Sequence, residues 1–326
     1  MPQETGKGAS TAAIWTALSA VYVAWGGTYL AIRVAIETLP PLLMASTRFL
    51  VAGALLYPWA IRRGDRLGDR PTRRQWVAAA IIGVSLLLGG NGMVVLAEQR
   101  VTSGIAALLV ATVPLWMVLL ARFGLRERVR WMEWLGLVVG FGGLALLAWP
   151  SGPQRLDPLG IGMVVFASIS WAAGSLYARR APMPARPLVG VAMEMLAGGV
   201  ALGIAGILSG ELGQVRPETF SFESIMGLLY LIVIGSWVAF SAYVWLLRVA
   251  RTSLVSTYAY VNPIVAVLLG WLILSEPVTI RTLFAGLVIL AGVALIVSAR
   301  STAPDDEEKG EPAAGVPPVE DERVSA

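Results

Sequence analysis

Ten apolar stretches separated by short polar connections make up most of the chain. They run over about 12–35, 41–61, 76–97, 103–122, 132–149, 158–178, 188–208, 225–247, 253–274 and 281–299. Each is close to the ~20 residues that a helix needs to cross hydrocarbon. None shows the two-residue alternation of an outer-membrane barrel strand. The pattern predicts an all-α polytopic membrane protein with ten transmembrane helices. A polar segment, 1–11, precedes the first span, and a leader cleaved after Ala20 is not expected because the apolar run continues from Val21. From residue 300 the chain changes character. Beyond Arg300, eight acidic and two basic residues among Pro, Ala and Gly have no apolar face to bury, which predicts a disordered acidic tail over 300–326.

Within the apolar pattern the chain is written twice. SGIAALLVATVPLWMVLL is followed at a constant spacing by TSLVSTYAYVNPIVAVLL, so that Pro114 meets Pro263, Glu127 meets Glu276 and Gly143 meets Gly292. WGGTYLAIR and WAAGSLYAR pair in the same way, Trp25 with Trp171 and Arg33 with Arg179. The repeats cover 12–149 and 158–299. Five spans per repeat is an odd number, so the second copy enters the membrane from the opposite side. Inverted repeats commonly hold substrate near the midplane where the halves meet. A proline inside a span releases the carbonyl four residues earlier, here Val110 and Ala259. In a bilayer such a carbonyl is tolerated where protein or a wet cavity receives it. Kinks kept for packing are the alternative.

Arginines reach the same topology independently. Fifteen lie in the connections after the second, fourth, sixth and eighth spans, against four (Arg100, Arg155, Arg216 and Arg281) in the others. This bias places both termini in the cytoplasm of a multi-pass cell-membrane protein. The basic side faces anionic lipid, and arginines scattered over short connections do not form a nucleic-acid surface. With 56% hydrophobic and 14% charged residues, the composition is far from the ~25% charge of soluble domains. Cysteine and histidine are both absent, which removes thiolate and imidazole chemistry. No G-x-S-x-G or ATP-binding loop occurs, so neither an intramembrane enzyme nor a cofactor is expected, and energy must come from an ion gradient or from the substrate's own.

Charges inside spans are costly, about 2.5–3.5 kcal/mol at a helix centre, and usually functional. Glu194 is a candidate site for a coupling proton or cation, and Arg48 for an anion or carboxylate; the alternative for each is snorkelling or structural pairing. Glu98, at the end of the third span, reads as a gate or a boundary charge. Glu127 and Glu276 read as caps of the following helices. Asn91 and Asn262 are buried amides that must hydrogen-bond across helices or to substrate. Trp25, Trp116, Trp171, Trp245, Tyr29, Tyr243, Tyr258 and Tyr260 lie deep enough to line a wet cavity or to pack between helices. Gly136 and Gly140 form a small-xxx-small pair that suits either packing within the bundle or a dimer seam; the oligomeric state is left open.

The runs WGGTYLAIR, PPLLMASTRF, GNGMVVLAEQRVTSGIAALLVATVPLW and TYAYVNPIVAVLLG resemble the EamA family of the drug/metabolite transporter superfamily, over about 12–299. The resemblance implies two inverted five-helix repeats that export small metabolites, amino-acid-like or drug-like, by alternating access. It also implies a central cavity around Trp25, Asn91, Pro114 and Trp116 in one half, and Trp171, Ser236, Asn262 and Pro263 in the other. Some members carry a cavity histidine, and this chain has none. A nucleotide-sugar or lipid-linked carrier is the alternative, and it calls for a more basic cavity than Arg48 alone supplies.

Overall fold

The computed structural model describes residues 10–62, 70–127, 129–148, 157–250 and 257–301. The expected segments at either terminus therefore lie outside the described residues, apart from 10–11 and 300–301. Eight helices are long and apolar enough to span a bilayer, and two shorter apolar helices complete the expected ten. We number them α1 (Thr11–Ala35), α2 (Pro41–Arg62), α3 (Arg73–Ala97), α4 (Ser103–Gly124), α5 (Trp131–Ala148), α6 (Pro158–Ala178), α7 (Pro187–Leu208), α8 (Phe222–Val249), α9 (Tyr258–Leu274) and α10 (Ile280–Ser301). No strand occurs among the described residues. We call the end of the bundle where α1 begins proximal and the end where it finishes distal.

Local chemistry explains where the helices start. Ser10, Thr102 and Ser221 accept the backbone N–H three residues on. Thr72 and Gln75 form a reciprocal capping box. Asp157 accepts from Leu159 and Gly160 ahead of α6, whose first residue is Pro158.

Three helices depart from regular α winding. Pro114 divides α4 into Ser103–Val110 and Val113–Gly124, with a turn at 111–112 between them. The carbonyl of Leu109 there accepts from Thr112 Oγ1 at 2.6 Å and from Ser168 Oγ at 3.4 Å. Pro263 behaves differently: it lies inside α9 without interrupting the helix. The other two departures are π-helical segments, Val84–Gly92 in α3 and Leu231–Val238 in α8. These occupy equivalent places in the two halves.

The halves interleave. α2 packs on α7 and α5 on α10, each against its own counterpart, while α1 packs on α8 and α9 much as α6 packs on α3 and α4. At α5–α10, a Cβ on Gly292 would come within 2.7 Å of the backbone of Gly136 and Gly140. The small-residue stripe of α5 is thus used for packing within the bundle. Arginines then tie this antiparallel pair at both ends. Arg130 donates to the Ala299 carbonyl at 2.6 Å, and Arg281 donates to the carbonyls of Leu146 and Leu147 at 2.8 and 2.9 Å.

Candidate functional site: the crossing of the two halves

A π-helical segment widens the helix by one residue per turn and leaves backbone groups without their regular partners, and such segments recur at functional sites. In this chain the tryptophan of each half's first helix sits on the π segment of the other half. Trp25, on α1, donates from Nε1 to the Gly235 carbonyl of α8 at 3.1 Å. Trp171, on α6, lies so close to Gly90 of α3 that a Cβ there would meet its ring at 2.8 Å. Ser170 beside it donates to the Ser85 carbonyl at 2.8 Å. The repeat pairs Trp25 with Trp171, and folding puts them in corresponding environments.

On the α8 side the surroundings combine aromatic rings with one cation. The Trp25 ring meets Phe240, Tyr243 and Tyr258 at centroid separations of 5.3, 5.1 and 5.2 Å. Tyr230 donates its hydroxyl to the Ala24 carbonyl at 3.1 Å. Arg48 reaches in from α2 with only 4% exposure, lies over the Phe49 ring, and donates from Nε to Ser236 Oγ at 3.0 Å. Its Nη1 is buried and meets no hydrogen-bond partner among the described residues. The same holds for Oδ1 of Asn91, within the α3 π segment, and Oδ1 of Asn262 on α9. The Asn262 carbonyl lies against Gly26 of α1. Buried polar groups in folded proteins are normally paired, and an unpaired one costs about 1–3 kcal/mol. Three such atoms on α2, α3 and α9 are therefore sites at which an added polar group would be stabilised.

The other residues singled out from the sequence lie around this crossing. Trp116 donates its ring N–H to Thr112 Oγ1 at 3.2 Å and packs edge-on against Phe141 of α5 at 4.9 Å, just beyond the break at Pro114. Tyr29 is half-buried against the core formed by α4 and α10. Pro263 follows Asn262 on α9. The backbone of Tyr260 lies on α9 as well, and its side chain is outside the described residues. Glu194 sits on α7 where its backbone touches Gly83 of α3.

A second polar cluster closes the distal end. Glu98 follows the last residue of α3 with 0% exposure, and neither carboxylate oxygen has a hydrogen-bond partner among the described residues. Arg33 of α1 donates from Nη1 to the backbone carbonyl of Glu98. Glu276 does not cap the helix that follows it. It reaches across to α4, where it accepts from Ser103 N and Oγ at 2.9 Å each and from Gly104 N at 3.2 Å. Glu211 likewise caps the start of α2, accepting from Leu42 and Leu43 at 3.1 and 2.9 Å. Arg100 and Asp157 pair at 2.8 Å, and that hydrogen bond, ahead of those from Leu159 and Gly160, holds the Asp157 carboxyl below its ordinary range. At the proximal end Glu127 faces Arg180 at 3.8 Å. Among the described residues no group of three His, Cys, Asp or Glu side chains gathers as metal ligands would.

The π segments, Tyr230 and the Ser85–Ser170 contact were missed in the sequence. The run Gly89-Gly90-Asn91-Gly92 and the pair Gly235-Ser236 were the available signals.

Comparison with known proteins places the whole architecture. The model of the EamA-like transporter family matches residues 10–149 and again 158–298. The chain is 42% identical over 283 residues to the uncharacterized inner membrane transporter YedA of Escherichia coli K12, covering 86% of this chain and 89% of that protein. It is 23% identical to the uncharacterized transporter YvbV of Bacillus subtilis, over 88% of this chain and 92% of the other. A chloroplastic WAT1-related protein of Arabidopsis thaliana is 24% identical over 86% of this chain and 69% of its own length. Among solved structures, one crystal structure superposes with a TM-score of 0.60 at 20% identity, covering 90% of this chain and 100% of the other, which speaks to the fold alone.

Proposed function

The chain belongs to the EamA-like transporter family and is a multi-pass membrane transporter, and from that premise we propose that it exports small polar metabolites, amino-acid-like or drug-like, by alternating access. The observation that carries this reading is the reciprocal seating of Trp25 and Trp171 on opposite π segments, flanked by the atoms of Arg48, Asn91 and Asn262 that have no partner among the described residues. The substrate lies between the two repeats, 12–149 and 158–299. Arg48, steadied by Ser236, takes its anionic group on the unpaired Nη1. Asn91 and Asn262 bond its other polar groups. Trp25, Trp171, Trp116 and Tyr29 supply apolar wall, while Pro114 is the place at which α4 changes course and Pro263 continues α9 beside Asn262. Glu194, half-buried on α7, is the candidate for a coupling proton or cation, and Glu98 for a gate. Both termini lie in the cytoplasm, as the arginine bias requires, so the distal end faces outside.

The test compares metabolites in the medium of cells expressing the parent, Arg48→Gln, Glu194→Gln or no protein. The parent raises the external level of at least one small polar metabolite, Arg48→Gln abolishes that rise at equal membrane abundance, and Glu194→Gln alters its dependence on the proton gradient. If Arg48→Gln exports like the parent, the substrate does not sit where this reading places it.

A further inference from the structure

The distal cluster holds two carboxylates of opposite character. Glu276 is saturated. The left-handed backbone of Ser275, φ 52°, ends α9 and turns Glu276 toward the first turn of α4, where it accepts three hydrogen bonds. A carboxylate is acceptor-only when ionised, and a helix N-terminus favours negative charge, so this clasp belongs to charged Glu276. It is also a built contact: a Cβ on Gly270 would collide with Glu276 and Ser103 Oγ, so the clasp closes because position 270 carries no side chain. Glu98, by contrast, is wholly enclosed, with no donor for either oxygen among the described residues. The nearby cation, Arg33, spends its Nη1 on the backbone carbonyl of Glu98 instead.

Two ionised carboxylates held near one another, one of them buried, are mutually destabilising. Glu98 follows the last residue of the α3 span; burial first, then the negative charge of Glu276, pushes its carboxyl well above the usual range, with Arg33 opposing. The titratable and charged groups around it are Tyr29 and Arg33 on α1, Glu276 between α9 and α10, and the Arg100–Asp157 pair at the start of α6. Arg100 is already paired with Asp157, which leaves Arg33 to face two acids.

We propose that Glu98 is a proton-binding site whose occupancy controls the clasp between Glu276 and the start of α4, the distal end loosening when the proton leaves. With Glu98 neutral, Glu276 alone carries the negative charge, and its three hydrogen bonds hold α4 to the α9–α10 connection. Loss of the proton puts a second negative charge beside it with no donor to receive it. Separation of the two acids, and entry of water to Glu98, then becomes favourable. The transporter thereby acquires a distal gate that responds to pH, independently of Glu194 on α7.

The chain contains no cysteine, so a labelled pair is clean. Gln99→Cys and Pro277→Cys, both at exposed positions, would carry spin labels on the purified full-length protein in lipid nanodiscs. Pulsed dipolar spectroscopy then measures the separation of the two connections from mildly acidic to mildly alkaline pH. Expected in the parent is a short separation at acidic pH giving way to a longer one, the ratio of the two populations changing by up to about tenfold per pH unit as one proton dictates. Glu98→Gln, permanently neutral, stays short at every pH, and Glu98→Asp keeps a pH response. Glu276→Gln, which weakens the clasp itself, shows the longer separation throughout. A parent with no pH response, or a Glu98→Gln variant with the parent's profile, overturns the proposal. The readout needs no substrate, so a failure of the export reading leaves it intact, and its own failure leaves the export reading intact.

Discussion

The α5–α10 pair and the crossing of α1, α2 and α8 with α3 and α9 are both places where one half of the molecule meets the other, and they are built oppositely. In the pair, glycines bring two backbones into contact and arginines cap both free helix ends. At the crossing the winding is irregular, and three buried polar atoms on Arg48, Asn91 and Asn262 have no partner among the described residues. In a bilayer, where lipid offers a backbone carbonyl nothing, the first arrangement is the stable one. The second leaves polar groups that the proposed export assigns to substrate. On that proposal the difference separates the helices that hold the bundle together from those that do work.

The comparison breaks most visibly at Gly292. A methyl group there meets the backbone of α5, which cannot move aside as a side chain can, so Gly292→Ala should cost about 1–3 kcal/mol and Gly292→Leu more. Thermal unfolding in detergent and recovery of monodisperse protein measure this. The contrasting substitution is Arg48→Met. Replacing a buried charge that lacks a countercharge with an apolar side chain of similar length is often neutral or stabilising, so melting should hold or rise. Export should fall by about tenfold or more, the equivalent of at least ~1.4 kcal/mol of lost binding. A variant that melts lower and still transports would move Arg48 into the structural class.

The arrangement of spans was legible because each apolar run is near membrane thickness and the turns between them are polar. Arg48, Asn91 and Asn262 were legible for the same reason, as polar residues in apolar runs. The π segments were not, since an extra residue per turn hardly changes an apolar pattern and only the glycine clusters hint at it. Nor was the burial of Glu98, which depends on how α6 and α2 pack against the end of α3 and on Arg33 reaching its carbonyl. The repeat made Pro114 and Pro263 equivalent in sequence, yet the first breaks its helix and the second does not. It made Glu127 and Glu276 equivalent too, but Glu276 clasps α4 while Glu127 faces Arg180.

Smaller effects sharpen the contrast at its edges. Arg281→Gln removes charged donors from two carbonyls at the end of α5. A hydrogen bond from a charged group contributes about 1.5–3 kcal/mol when buried. At a half-buried helix end the loss should be about 1 kcal/mol, read as a lowered melting temperature with export unchanged, since nothing at the crossing is touched.

The slightest effect belongs to Asp157, which is half-exposed at the start of α6. Its carboxyl is held below the ordinary aspartate range by Arg100 first and by two backbone N–H groups second. A depressed folded-state value stabilises the fold above the unfolded value, near 4, and that stabilisation is lost as pH falls through the folded value. Raising the pH above neutrality should therefore change nothing at this position. Asp157→Asn retains a capping side chain for α6 but cannot change charge. Its melting temperature should track the parent's at neutral pH within a small offset, and the two curves should converge below about pH 4. Convergence on the alkaline side instead would assign the pH dependence of the distal end to some group other than this pair.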